Sequence, residues 1–197
     1  MGTSSWSTED LAHERRPRTR SVGIDSASVV AYDLDMTTAE VTQQIHNALL
    51  SYCRGIDRLD PVAVAAGFHP GAELRDYGAE PMSIETFVDH ALASLRKRFS
   101  ATQHRISNTS IDFDRDATGA LVETYVLAFH VSVSDGDSFL HTFNGRYIDR
   151  FEERDGAWKI AMRTLRNDWS KVEPIDRTMG GTWVASGRVG DSDPLWD

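Results

Sequence analysis

Beyond residue 102 the apolar residues of this chain stop recurring at helical spacing and begin to alternate, and the alternation holds to residue 168. Residues 103–113, 121–134, 138–153 and 157–168 read as four strands. The breaks between them are Asp114-Arg115-Asp116-Ala117-Thr118-Gly119, Ser134-Asp135-Gly136-Asp137 and Glu153-Arg154-Asp155-Gly156, all rich in turn-forming residues. Strands joined by turns this short pair antiparallel with their neighbours in sequence. The C-terminal half is therefore a long meander, and it needs apolar partners from elsewhere in the chain.

Those partners precede it. Thr37 with Glu40 forms a capping-box pattern, after which Val41, Ile45, Ala48, Leu49, Tyr52 and Ile56 recur at helical spacing. Asp60-Pro61 stops that helix and starts a second, over 62–68, which ends at His69-Pro70-Gly71. A short extended piece, 72–77, follows. Ser83 then caps a third helix with the stripe Ile84, Phe87, Val88, Ala91, Leu92 and Leu95, closing on Arg96-Lys97-Arg98, where cations suit a helix C-terminus. Three helices followed by a meander predict an α+β domain, a strongly curved, mostly antiparallel sheet wrapped around the helices. The expected domain spans 36–170. Residues 1–35, rich in Ser, Thr, Arg and Asp, read as a disordered or irregular extension; 171–197, with Trp183 and Trp196, reads as a tail that packs on the domain or a neighbouring subunit.

Composition narrows the function. A net charge of −9 argues against phosphate neutralisation on nucleic acid and against adsorption to an anionic membrane. No apolar run approaches a membrane span, and Arg15-Arg16 is followed by no apolar segment of the kind an export signal needs. The single cysteine, Cys53, can form no internal disulfide and excludes a cysteine-based zinc cluster. These features predict a cytoplasmic protein.

The chemistry-bearing residues are Tyr52 and Asp57 at the end of the first helix and His104 at the start of the first long strand. A carboxylate that holds one imidazole nitrogen protonated leaves the other free as a base, the minimum kit for moving a proton without a cofactor. Asp57 is expected just past the helix end. Strict alternation places Ile106, Asn108 and Ser110 on the His104 face, and sends Arg163 to the face opposite Trp158, Ile160 and Met162. Glu123 and Tyr125 are further candidates for the cavity wall. His69, His90, His130 and His141 read as structural or surface residues, and Phe139, Phe143, Tyr147 and Phe151 as inner core or, if outward, a subunit interface.

Three pieces of sequence carry a family resemblance: Tyr52-x4-Asp57, Gln103-His104 with Asn108, and the pair Gly145-Arg146-Tyr147-Ile148-Asp149-Arg150-Phe151 and Gly156-Ala157-Trp158-Lys159-Ile160-Ala161-Met162-Arg163. With this order of elements the chain resembles the SnoaL-like branch of the nuclear transport factor 2-like cone fold over roughly residues 36–169. Within that branch it is similar to the cofactor-free dehydratases and dehydrochlorinases, among them scytalone dehydratase, bile-acid 7α-dehydratase and hexachlorocyclohexane dehydrochlorinase. The resemblance implies catalytic roles for Tyr52, Asp57, His104 and Arg163, no cofactor and no metal, and a small hydrophobic hydroxylated or carbonyl substrate. It also implies a homotrimer or homodimer. A lyase of the dehydratase type leads; a polyketide-type cyclase or isomerase, and a non-catalytic binding protein or dioxygenase β-subunit-like partner, are the alternatives.

Overall fold

In the computed structural model, which describes residues 36–115 and 118–176, the helix α1 (Thr38–Arg58) opens the domain. Its start is the expected capping box: the Thr37 hydroxyl accepts from the Glu40 N–H at 3.3 Å, and the Glu40 carboxylate accepts from the Thr37 N–H at 2.7 Å. Its stripe of Val41, Ile45, Ala48, Leu49, Tyr52 and Ile56 is buried. The helix α2 (Pro61–Ala66) follows, with the Asp60 carboxylate accepting from the N–H groups of Val62 and Ala63. The two helices approach so closely at Gly55 that a side chain there would lie 2.5 Å from the Val64 nitrogen.

The strand β1 (Phe68–Arg75) begins straight after α2, with His69-Pro70-Gly71 bulging out of it rather than ending a helix. His69 is buried there, and its Nε2–H donates to the Glu152 carbonyl at 2.9 Å, a structural role. A two-residue strand β2 (Met82–Ser83) leads into α3 (Ile84–Arg98), with Ser83 accepting from the Thr86 N–H as its cap. Then come β3 (Ala101–Phe113), β4 (Gly119–Ser134), β5 (Asp137–Arg154) and β6 (Ala157–Ile175). The Asp135-Gly136 and Asp155-Gly156 turns both take positive φ at each residue, the geometry that matches strand twist in tight hairpins.

The sheet order is β2-β1-β6-β5-β4-β3. Its four long strands form the expected meander, and β1 joins parallel to β6, making the sheet mixed. The core lies between its concave face and the helices. Phe151, Tyr147, Trp158, Ile160, Val122 and Val126 meet the buried stripe of α1 there. Tyr147 and Phe151 thus face inward, so β5 offers no outward aromatic interface at these positions. β6 continues through Ile175, past the expected boundary at 170, by pairing with 138–144 of β5. The expectations for residues 1–35, and for Trp183 and Trp196, lie outside the described residues. Among the described residues no helix is long and apolar enough to cross a membrane.

Candidate active site

α1 supplies two of the expected residues. Tyr52 points from its buried stripe into the interior, with its hydroxyl 3.3 Å from that of Tyr77. Asp57 stands inside the last turn of α1 rather than beyond it. A carboxylate at that end meets the negative pole of the helix dipole and needs compensating donors. His104 provides both: its backbone N–H donates to Asp57 Oδ2 at 2.8 Å and its Nδ1–H to Oδ1 at 2.7 Å. The backbone contact has a local cause, because β3 is an edge strand and Asp57 satisfies an N–H that no neighbouring strand reaches. A carboxylate only accepts, so Nδ1 carries the proton, and in the neutral ring Nε2 keeps its lone pair. The His104 and Asp57 side chains are only 8% and 19% exposed.

Tyr52 and His104 share the wall of a cavity of about 430 Å³ between α3 and the concave face of the sheet. Tyr77, Tyr147 and His130 add polar groups to this wall, while Ile56, Phe87, Leu95, Phe143 and Leu165 make most of it apolar. Three exposed residues of α3, His90, Ser94 and Arg98, line its solvent side. The His130 ring stands edge to face with His104, centroids 5.3 Å apart. Burial, reinforced by the neighbouring His104, lowers the His130 pKa to about 4, so this imidazole is neutral. Burial raises the Tyr52 phenol, against the opposing pull of the Arg163 cation, and raises Tyr77 and Tyr147 further. All three tyrosines are therefore hydrogen-bond donors at neutral pH.

Arg163 is fully buried but does not line this cavity. It lies behind the tyrosines, its guanidinium 4.4 Å from the Tyr52 ring centroid and 4.0 Å from that of Tyr147. Its Nε and Nη2 donate to the two oxygens of Asp149 at 2.7 and 2.6 Å. Burial alone would lower its pKa, but the Asp149 charge and hydrogen bonds outweigh this and hold it well above the ordinary value. The expected placement of Arg163 on the face opposite Trp158 and Ile160 fails because Phe151 pairs with Ile160 and Arg150 with Met162, leaving Ala161 as an extra residue. That bulge resets the alternation, so Trp158, Ile160 and Arg163 all point inward.

A second bulge, between Ile106 and Thr109 of β3, undoes the expected placement of Asn108 and Ser110 beside His104. Both are exposed, and they share a shallow hollow with Glu123 and Tyr125, so none of these four residues reaches the cavity. Glu123 instead takes a hydrogen bond from Arg146, which also holds Asp168. His141 stays outside as well, 2.8 Å from the Ser132 hydroxyl. The sequence reading missed Tyr77, which sits in irregular backbone after β1 where no period marks it, and Asp149, the buried partner of Arg163. It also set His90 and His130 aside as structural or surface residues, and both line the cavity.

The sequence profile of the SnoaL-like domain family matches residues 37–164. Among solved structures the chain is similar to a provisionally named scytalone dehydratase from Novosphingobium aromaticivorans, at 24% identity and TM-score 0.57, covering 77% of this chain and 95% of that one. It is also similar to a type 2 hexachlorocyclohexane dehydrochlorinase, at 20% identity and TM-score 0.60, covering 72% and 93%. A type 3 form of that enzyme from Novosphingobium barchaimii gives 19% and 0.57, covering 74% and 94%. At these identities the likeness establishes the fold. No curated protein matches the sequence at a significant level.

Proposed function

The chain belongs to the SnoaL-like domain family, and from that premise we propose that it is a cofactor-independent lyase. The reaction is a dehydratase-type elimination on a small cyclic or polycyclic hydroxy-carbonyl compound. One observation carries this reading: the two-point contact between Asp57 and His104, which holds an imidazole by its Nδ1 in the wall of a largely apolar cavity. His104 Nε2 removes the proton α to the carbonyl, and the C–H electron pair moves toward the carbonyl oxygen. Tyr52 or Tyr77, kept protonated by burial, donates to that oxygen as it gains charge. The electrons then form the carbon–carbon double bond as the β C–O bond breaks. The imidazolium proton leaves with the hydroxyl as water, and His104 is neutral again. Arg163 acts through Tyr52, which it stacks against and orients, without touching substrate.

A cyclase or isomerase of polyketide type shares the first step. Neutral His130 beside His104 favours carrying this second reading, since another imidazole offers a route for returning the proton at a different carbon. Incubation with cyclic β-hydroxyketones in deuterium oxide, followed by NMR, separates the readings. Loss of water with an unsaturated ketone as product supports the lyase; exchange or skeletal rearrangement without loss of water supports the isomerase. Binding with neither outcome leaves a ligand-binding protein. His104→Ala is expected to lower turnover by about 10²–10⁴-fold with the fold retained by circular dichroism. Asp57→Asn should lose less, by admitting the wrong imidazole tautomer. Full activity in His104→Ala ends the proposal.

A further inference from the structure

The cavity is polar in a directional way. Residues 90, 94 and 98 fall on one face of α3 at successive four-residue steps, all three are exposed, and all three line the cavity on its solvent side. One turn-edge deeper, Phe87, Ala91 and Leu95 line it with apolar surface. Arg98 is the only formal cation among the lining residues. A cation at a helix C-terminus is commonly there to complement the dipole, and Arg96 and Lys97 share that duty. Arg98 differs from them in two ways. Its guanidinium lies along the cavity wall, 5.0 Å from the centroid of Phe99, which itself lines the cavity. Its charge also opposes protonation of His130 on the cavity wall.

We propose that Arg98 forms a carboxylate subsite at the cavity mouth, so that the substrate is an apolar ring body bearing a carboxylate. This deepens the lyase reading and rests on that reading's choice of cavity. The planar guanidinium fork matches both oxygens of a carboxylate, while the apolar depth takes the rings. The net charge of −9 repels anions from the molecule as a whole, so a preference for a carboxylate has to arise locally.

Titration calorimetry with naphthoate and its neutral isostere naphthamide on the full chain tests this without turnover. Wild type is expected to bind naphthoate about fivefold more tightly than the amide. Arg98→Gln should abolish the preference while leaving amide affinity unchanged, which also reports an intact cavity. Arg98→Lys should keep part of the preference, and Arg96→Gln all of it. His104→Ala should keep it too, so a failed lyase reading leaves this result standing, and the converse also holds. The proposal is overturned by equal binding of the two probes, by no binding of either, by a preference that survives Arg98→Gln, or by an equal loss in Arg96→Gln.

Discussion

Asp149 and Arg163 both have fully buried side chains, and their bidentate contact is the only compensation either charge receives from an opposite charge among the described residues. The attraction between two such groups roughly offsets their desolvation, so the pair is a weak source of net stability, yet breaking it strands a charge in the core. The Nη1 of Arg163 already lies buried with no hydrogen-bond partner and faces aromatic rings instead. Asp149→Asn is therefore expected to destabilise the domain by about 3 kcal/mol, read as a lower urea midpoint with unchanged slope. The double variant Asp149→Leu with Arg163→Met should recover most of that loss, since neither charge is then left alone. Turnover should stay low in the double variant, because Tyr52 loses the cation stacked against its ring. Wild-type turnover there would reduce the pair to a structural role.

At the scale of elements, the decisive features are the bulges. Deleting both Ala161 and Met162 would place Arg163 directly after the inward-facing Ile160 and so turn it to the outer face, leaving Asp149 unpaired in the core. A loss of several kcal/mol is expected, well beyond the roughly 1 kcal/mol for Gly156→Ala at its φ of +78° in the adjoining turn. Equal thermal shifts in the two variants would show that the spacing from Ile160 does not set the facing of Arg163. The same contrast explains what could be read in advance. The capping box at Thr37, the Asp60-Pro61 break, the Ser83 cap and the Asp-Gly turns are local signals, and each lies where the sequence puts it. A bulge has no such signature. One extra residue among Ile160, Ala161 and Met162 changes no composition, yet it reverses every side chain beyond it. Asn108 and Ser110 were misplaced for that reason. Glu123 and Tyr125 were misplaced because β4 has apolar residues on both faces, with Leu121 exposed and Val122 buried.

For the molecule as a whole, Asp57 and His104 are 47 residues apart and meet because the end of α1 abuts the free edge of the sheet, an arrangement that follows once the order of elements is known. Tyr77 and His130 reach the same cavity through the curvature of the sheet and an irregular segment, which no local pattern encodes. Enclosing His130 there has a consequence for acid stability. Its pKa falls from 6.5 to about 4 on folding, because burial and the nearby His104 disfavour the charged ring, with His141 and Arg98 adding to the effect and Asp57 opposing it. Between these values the unfolded chain binds a proton that the folded chain refuses. The stability is thus fully present above pH 6.5, declines as pH falls, and stops declining below about 4. The total is about 3 kcal/mol at 1.36 kcal/mol per pH unit. Carboxylates titrate over part of the same window, so the measurement is a difference: urea unfolding of wild type and His130→Gln at matched pH. The variant's curve should be flatter by that amount, and the gap should open between pH 6.5 and about 4. Parallel curves would mean that the folded cavity accepts a proton at His130 as readily as water does, and that the second imidazole is free to act as an acid in the reaction.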